Sequence, residues 1–336
     1  MTEGRALKKI KIAQIGVGYW GPNLLRNLVN NPKCEVQSVI DLSPDRRSFV
    51  HELYPNIKIG ADVNSVFDDN DIMAVVIATP AKTHFELVMN ALSSGKHVLV
   101  EKPMATTVGE IECIDQVANK NGLVAMVGHT FLYNKCVRFI KDLINYGEIG
   151  TIRYIASQRL NLGRIRQDVN VLWNLAPHDV SIIQYWLDDP EPIKTQVNSM
   201  SFVQDGIEDV AFLNITYPDN IIANIHVSWL DPQKVRRITV VGSKKMVVYD
   251  DLADSKVAIF DKGIDRVAML GQDMDYDQSF PYILTHRSGE IILPDIDWQE
   301  PLQLEIDHFL NCIRGEEICL TPANHAMKVI RILQQG

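Results

Sequence analysis

Cysteine is scarce in this chain and its few copies are scattered. Cys34, Cys113, Cys136, Cys312 and Cys319 are odd in number and include no CxxC pair, which speaks against a disulfide framework and against a zinc ribbon. They are expected to be free thiols in a reducing, cytoplasmic setting. Nine histidines form no HExxH and no pair at ligand spacing beside a carboxylate, so no metal is expected. No run of eighteen apolar residues occurs, and the first residues lack an apolar stretch of signal-peptide length, so neither a membrane span nor a secretion signal is expected. Basic residues are outnumbered: the formal charge is −9, which speaks against general binding to nucleic acid.

What the chain does have is length and rhythm. Its 336 residues, 46% apolar and 22% charged, suit two ordinary globular domains. Up to about residue 128, apolar runs (KIAQIGVG, EVQSVID, MAVVIAT, HVLVEK, LVAMVG) alternate with amphipathic helical patterns. That alternation predicts a doubly wound, parallel-sheet Rossmann domain over 1–128. From 129 to 336 the pattern turns strand-rich, with IRYIASQRL, VAFLNITY, IIANIHVSW, VRRITVVGS and KMVVYDD at hairpin spacing. This predicts an α+β domain with a large, mainly antiparallel sheet for substrate binding and self-association. A broad sheet needs a cover, so a homodimer or homotetramer is expected.

The first strand runs into IGVGYWG, where Gly16, Gly18 and Gly21 have GxGxxG spacing with Tyr19 and Trp20 inside the turn. Gly16 permits the tight turn, Gly18 the approach of a pyrophosphate, and Gly21 close packing of the helix on its strand. Asp41 stands twenty residues after Gly21, at the end of the second strand, where a carboxylate accepts ribose hydroxyls and repels a 2′-phosphate. NAD is therefore expected over NADP, with Arg46 and Arg47 on the following turn softening that preference, since either could reach a phosphate. Ligands of such sheets lie beyond the carboxyl ends of the strands. Thr79-Pro80, Glu101-Lys102-Pro103 and Gly128-His129 each close a strand there, and His84 opens the next helix, placed either to touch the cofactor or to cap that helix. In the second domain, QRLNLGRIRQD gathers Arg159, Asn161, Arg164 and Arg166, a positive segment that is either a solvated loop or an anion site.

AxxGxGxxG, VVIATPAKTH (75–84), EKP (101–103) and VLWNLAPHDVSII (171–183) together resemble the Gfo/Idh/MocA family of sugar and polyol dehydrogenases. The resemblance covers most of the chain. It implies that Lys102 and His178 flank the nicotinamide as catalytic residues and that the Lys102-Pro103 bond is cis. Trp173 is expected either to border the nicotinamide or sugar or to be a buried packing residue, and Arg159, Asn161, Arg166 and Asn174 are expected with Lys102 and His178 at the substrate. FLYN, RLNLG and PHD are similar to members acting on nucleotide-linked amino sugars and uronic acids. The expected substrate is thus an anionic sugar such as a UDP-N-acetylhexosaminuronate oxidised at C3. The alternatives are a free polyol of inositol type, or a weakened, nucleotide-sensing homologue. Asn174 departs from the family, which commonly has an aspartate four residues before the histidine; an amide there hydrogen-bonds but does not titrate.

Overall fold

A computed structural model of the chain describes residues 8–163, 165–268 and 282–335. In chain order the elements begin β1 (Ile10–Ile15), α1 (Gly21–Asn30), β2 (Cys34–Ile40), α2 (Pro44–Leu53), β3 (Lys58–Gly60), α3 (Asn64–Phe67), β4 (Ala74–Ile77), α4 (His84–Ser93), β5 (His97–Glu101), α5 (Val108–Asn121) and β6 (Ala125–Gly128). They continue with α6 (Lys135–Asn145), β7 (Ile152–Leu162), α7 (Val171–Trp186), β8 (Lys194–Met200), β9 (Val210–Thr216), β10 (Ile222–Ser228), β11 (Leu230–Gly242), β12 (Met246–Asp250), β13 (Val257–Ala268), β14 (Tyr282–Ile292), α8 (Pro301–Ile313) and α9 (Ala323–Gln334). Arg164, the third arginine of the positive segment, lies outside the described residues.

The first sheet has the order β3-β2-β1-β4-β5-β6 with every pair parallel, as the near-continuous apolar strands require. Residues 74–77 and 98–100 are wholly buried, because helices cover both faces of a parallel sheet. Helix boundaries follow local chemistry. Pro22 stands in the first turn of α1, where its missing N–H costs nothing. Thr107 and Glu110 form a reciprocal capping box that starts α5, and Gly122 ends it in the left-handed region at φ 63°.

The chain divides into two compact units at a different place from the expected single cut after residue 128. One unit runs to Asn134 and takes back Gln299–Arg331; the other is Lys135–Trp298 with the residues from Ile332. The physical cause is α8, an amphipathic helix that buries Leu302, Ile306, Phe309 and Leu310. It packs on α1 and on the turn at Thr130–Tyr133. Arg26 and Glu300 form a two-pronged ion pair (2.5 and 3.2 Å), Asn31 donates to Asp307 (3.0 Å), and Pro322 bridges Met126.

The second unit carries an eight-stranded sheet of order β14-β13-β12-β11-β7-β10-β9-β8, in which only β7–β10 is a parallel pair. Both β8 and the pair β13–β14 fall in stretches whose strand pattern the sequence does not announce. Alternation sorts the two faces: Ile155, Leu213, Ile215, Ala223 and Ile225 are fully buried, whereas Tyr154, Phe212 and Ile222 are 47%, 41% and 51% exposed. Helix α7 packs against β7, β9 and β10, and buries Ile182, Ile183 and Trp186.

That same period of two places Arg159 on the inward face, in register with Ile155 and Ser157. Its Nε and Nη2 donate to Asp179 of α7 at 2.7 and 3.2 Å, and Ser157 Oγ donates to the same carboxylate at 2.8 Å. Arg159 is 7% and Asp179 1% exposed. The expected substrate contact by Arg159 is therefore corrected: its guanidinium ties the helix to the sheet. Breaking one side of a buried pair costs about 3–5 kcal/mol, because the other charge is left uncompensated, whereas replacing both is far cheaper. Arg159→Ala should lower the unfolding free energy by about that amount in denaturant titration, and Arg159→Met with Asp179→Leu should recover most of it.

Candidate functional site

The carboxyl ends of the parallel strands carry most of the residues singled out from the sequence. Gly16 sits at φ 92°, and a Cβ there would lie 2.6 Å from the Ala78 carbonyl oxygen. At Gly21 a Cβ would meet the Gly16 carbonyl at 2.7 Å. Buried Gln14 locks the turn from beneath, its Nε2 donating to the carbonyls of Gly16 and Gly21 at 2.9 Å each. Gly18 differs: its Cβ would meet nothing within 4 Å. Two glycines are thus required by the fold and one leaves open space in the turn before α1, whose helix dipole favours a diphosphate. Tyr19 and Trp20 beside it are 90% and 40% exposed.

Asp41 ends β2 with its carboxylate fixed by two backbone donors, Val17 N–H (2.7 Å) and Ser43 N–H (2.8 Å). The turn and the acidic group are thereby held as one piece. Arg47 donates to the carbonyls of Asp41 and Leu42 at 2.8 and 2.9 Å, so it is occupied, while Arg46 is exposed on the first turn of α2. These residues fit the adenosine half of NAD: a cradle without a Cβ at Gly18, and a rigid carboxylate one strand away.

At the end of β4, Thr83 Oγ1 lies 2.8 Å from Thr79 Oγ1 and 2.8 Å from the Pro80 carbonyl. His84 is 1% exposed, with Nε2 2.8 Å from the Thr79 carbonyl and Nδ1 2.7 Å from the Pro103 carbonyl. The buried ring lies between these two carbonyls and, when neutral, donates to one of them, so His84 joins the ends of β4 and β5 rather than capping α4. Burial pulls its pKa down, against the two carbonyls, which raise it.

Beyond β5 the Lys102-Pro103 bond is cis, as the resemblance implies. Glu101 pairs with Gly128 of β6, and a Cβ on Gly128 would come within 3.3 Å of the Glu101 backbone and carboxyl. Burial pushes the Glu101 carboxyl up to about 7, opposed by the Lys102 ammonium and by N–H donors from the Lys102 backbone and the Trp20 indole. Glu305 of α8 is fully buried, accepts from Thr130 Oγ1 at 2.8 Å, and is held well above the ordinary carboxylate range by burial and by Glu101. His129 is 3% exposed and edge-on to His325 at 5.4 Å. Burial, His325 and Lys102 hold its pKa well below the usual value, so the imidazole is neutral. Sequence reasoning missed Glu305 and His325 entirely, because α8 and α9 lie about two hundred residues from Glu101 and Thr130 and carry no local motif. Gly128-His129 was noticed only as a strand end.

In the second unit, Asn170 caps α7, its Oδ1 accepting from Trp173 N–H at 3.0 Å. Trp173, Asn174 and His178 are half-buried, while Asp179, Val180 and Ile183 are buried, so the one-turn spacing of Asn174 and His178 places both on the less covered side. Asn161 is half-buried near the end of β7. Arg166 is exposed and forms a two-pronged pair with Asp168, at 2.9 and 2.6 Å. The anion cluster expected here thus reduces, among the described residues, to one exposed and already paired arginine.

Residues 10–129 match the oxidoreductase family GFO_IDH_MocA, NAD-binding Rossmann fold, and residues 137–248 match the GFO/IDH/MocA C-terminal domain. The chain belongs to the Gfo/Idh/MocA family and is an NAD(P)-dependent oxidoreductase. It is 29% identical over 184 residues to 4-carboxy-2-hydroxymuconate-6-semialdehyde dehydrogenase of Sphingobium sp., a match spanning 52% of this chain and 58% of that protein, little more than half its length. It is 24% identical over 320 residues to scyllo-inositol 2-dehydrogenase (NAD(+)) of Bacillus subtilis, covering 91% and 87% of the two chains. In fold it is similar to UDP-N-acetylglucosamine 3-dehydrogenase from Acidithiobacillus ferrooxidans, with a TM-score of 0.80, 20% identity, and 98% and 97% coverage. No helix among the described residues is long and apolar enough to cross a membrane.

Two outcomes follow from this geometry. Gly18→Ala should leave the melting midpoint unchanged yet weaken NAD binding at least tenfold in fluorescence titration, whereas Gly16→Ala should lower the midpoint as well. The raised Glu101 pKa means that the folded protein favours its protonated form. Its contribution to stability is full below pH about 4.5 and is lost as the pH rises through about 7. Unfolding free energies measured from pH 5 to pH 8 should therefore fall less steeply in Glu101→Gln.

Proposed function

We propose that this oxidoreductase moves a hydride between NAD and a secondary carbinol of a hydroxyl-rich ring, a sugar or cyclitol. The observation that carries the reading is the pairing of an open Gly18 cradle and rigid Asp41 with Lys102, which leaves the next strand end but one in the same sheet. NAD would be held by the Gly16–Gly21 turn, Asp41 and Thr79, and when bound it supplies the two-electron chemistry.

The protein's own work is to place and move one proton. The Lys102 ammonium donates a hydrogen bond to the carbonyl oxygen in the reductive direction, or receives the hydroxyl proton in the oxidative one. The Glu101 carboxyl beside it, with a pKa of about 7, holds or releases a proton near neutrality and so resets the lysine between turnovers. His129, kept neutral, adds no second positive charge beside Lys102. The family resemblance, on the VLWNLAPHDVSII stretch, adds His178 as a second proton-active side chain, with Asn174 orienting it or the substrate. Trp173 supplies an apolar face for the sugar or the cofactor.

A cyclitol or free sugar is favoured over a nucleotide-linked one because Arg159, which was to grip the anion, is committed to Asp179. The nucleotide-sugar reading retains one support: Arg166 and Asp168 form an exposed pair, and such pairs are worth only about 0–1 kcal/mol, so an anionic substrate can displace the carboxylate. Five free cysteines suit the cytoplasmic setting in which such substrates are processed. The outward sheet face around Tyr154, Phe212 and Ile222 serves self-association; light scattering should report a dimer or tetramer, and a monomer at high concentration would remove that part of the reading.

Absorbance at 340 nm on mixing the protein with NAD and a panel of inositols, free hexoses and UDP-linked sugars tests the substrate. Turnover with a free ring compound is expected, turnover confined to UDP-sugars selects the second reading, and none with any sugar rejects both. Lys102→Met should lower kcat by about 10²–10⁴-fold, the usual worth of a positioned acid–base group. Asn174→Asp should change kcat less than tenfold if the amide is a specialisation; a larger gain would mark this chain as a weakened sensor.

A further inference from the structure

We propose that His308 Nε2, Cys312 Sγ and Cys319 Sγ form a binding site for a thiophilic divalent cation of the zinc type. These three atoms lie within 4.8 Å of one another. His308 and Cys312 are one turn apart on α8 and are 7% and 8% exposed, and Cys319 comes back to them from the segment after the helix. The His308 Nε2 to Cys312 Sγ separation is 3.4 Å. Zinc bonds of about 2.3 Å to sulfur and about 2.0–2.1 Å to nitrogen, at a tetrahedral angle, require roughly 3.5 Å between such atoms.

The support of the ring points the same way. Glu317 binds His308 Nδ1, and Asn311 Nδ2 donates to the other Glu317 oxygen at 2.6 Å. A carboxylate on Nδ1 fixes the tautomer that leaves the Nε2 lone pair outward, the usual arrangement behind a metal-bound histidine. In the metal-free chain that lone pair accepts the Leu320 N–H at 2.9 Å, so loading exchanges this bond for a bond to the metal. Two thiols lose their protons on binding, and the two thiolates balance the cation's charge, with water completing a four-coordinate shell. Neither CxxC nor His-x₃-His spacing occurs, so the sequence offered no signal: the ligands follow a C-terminal His-x₃-Cys-x₆-Cys pattern that only the return of the chain makes into a cluster.

The next residues show what such a clamp would hold. Thr321 exchanges backbone and side-chain bonds with Val127 of β6 at 3.0 and 2.8 Å, and Tyr133 OH lies 3.0 Å from its hydroxyl. The segment that extends the edge of β6 therefore begins where the metal would fasten it to α8. The role is independent of the substrate reading, and its readout needs no turnover.

The test uses the full chain, reduced and stripped with a chelator, titrated with Zn²⁺ against a chromophoric chelator and with Co²⁺ for its thiolate charge-transfer band. One equivalent of Zn²⁺ with a rise in melting midpoint is expected. Cys319→Ser, at the more exposed ligand, and Cys312→Ser should each weaken binding at least 100-fold and abolish the Co²⁺ band. Glu317→Gln should cost about tenfold, while Cys113→Ser, on exposed α5, should change nothing. The site does not exist if the reduced chain takes up no metal, or if the Cys319→Ser and Cys312→Ser chains bind Zn²⁺ as tightly as the parent. If Cys312→Ser fails to fold, Cys319→Ser decides.

Discussion

The first unit depends on a close approach of two pieces of backbone. Gly16 lies so near the Ala78 carbonyl that no side chain fits between them, and Gly21 sits as tightly over the Gly16 carbonyl. The consequences radiate from there. Because β1 and β4 end together, Thr79 emerges beside the glycine turn, and α1 starts directly on that turn. Gln14, buried under the turn, holds it by two carbonyls, and Asp41 holds it from the side through Val17 N–H. The cofactor cradle is thus a product of backbone packing, with side chains serving as its fasteners.

A second theme is the stacking of proton-active groups behind Lys102. Glu305 lies in a place that water hardly reaches, and Glu101 raises the cost of ionising it further. His129 and His325 meet edge to edge nearby, and the first of them is kept neutral. Reactive lysines depend on the charges around them, and here the surroundings are arranged so that few charges exist at once. The strand end EKP is therefore best understood with the turn at Thr130 and with α8, not as a tripeptide alone.

Legibility from the sequence divided along a physical line. The parallel sheet, the glycine turn, Asp41 and the cis bond at Lys102-Pro103 were accessible because each is encoded within one stretch: strand period, glycine spacing, or a motif of three residues. What failed depended on distant partners. Arg159 looked like an anion ligand among three arginines, yet strand alternation aims it inward, and Asp179 arrives from α7 to neutralise it. His84 looked like a cofactor contact, yet its ring is buried between the carbonyls of Thr79 and Pro103. The same blindness hid Glu305, whose relevance comes from a helix that returns to the first unit only after Trp298.

That return has a consequence for the order in which the molecule is made. A domain folds as a unit, and the portion synthesised first normally folds first. Here the first unit cannot finish: until α8 emerges, the ground beneath Thr130 and Tyr133 lacks Leu302, Ile306 and Phe309, and Arg26 lacks Glu300. The sheet can form early, but its last wall arrives only after the intervening 164 residues of the second unit have been translated, from Lys135 to Trp298. The first unit thus stays open while most of the second has already been made. An incomplete chain would carry its nucleotide fold with the apolar underside still exposed.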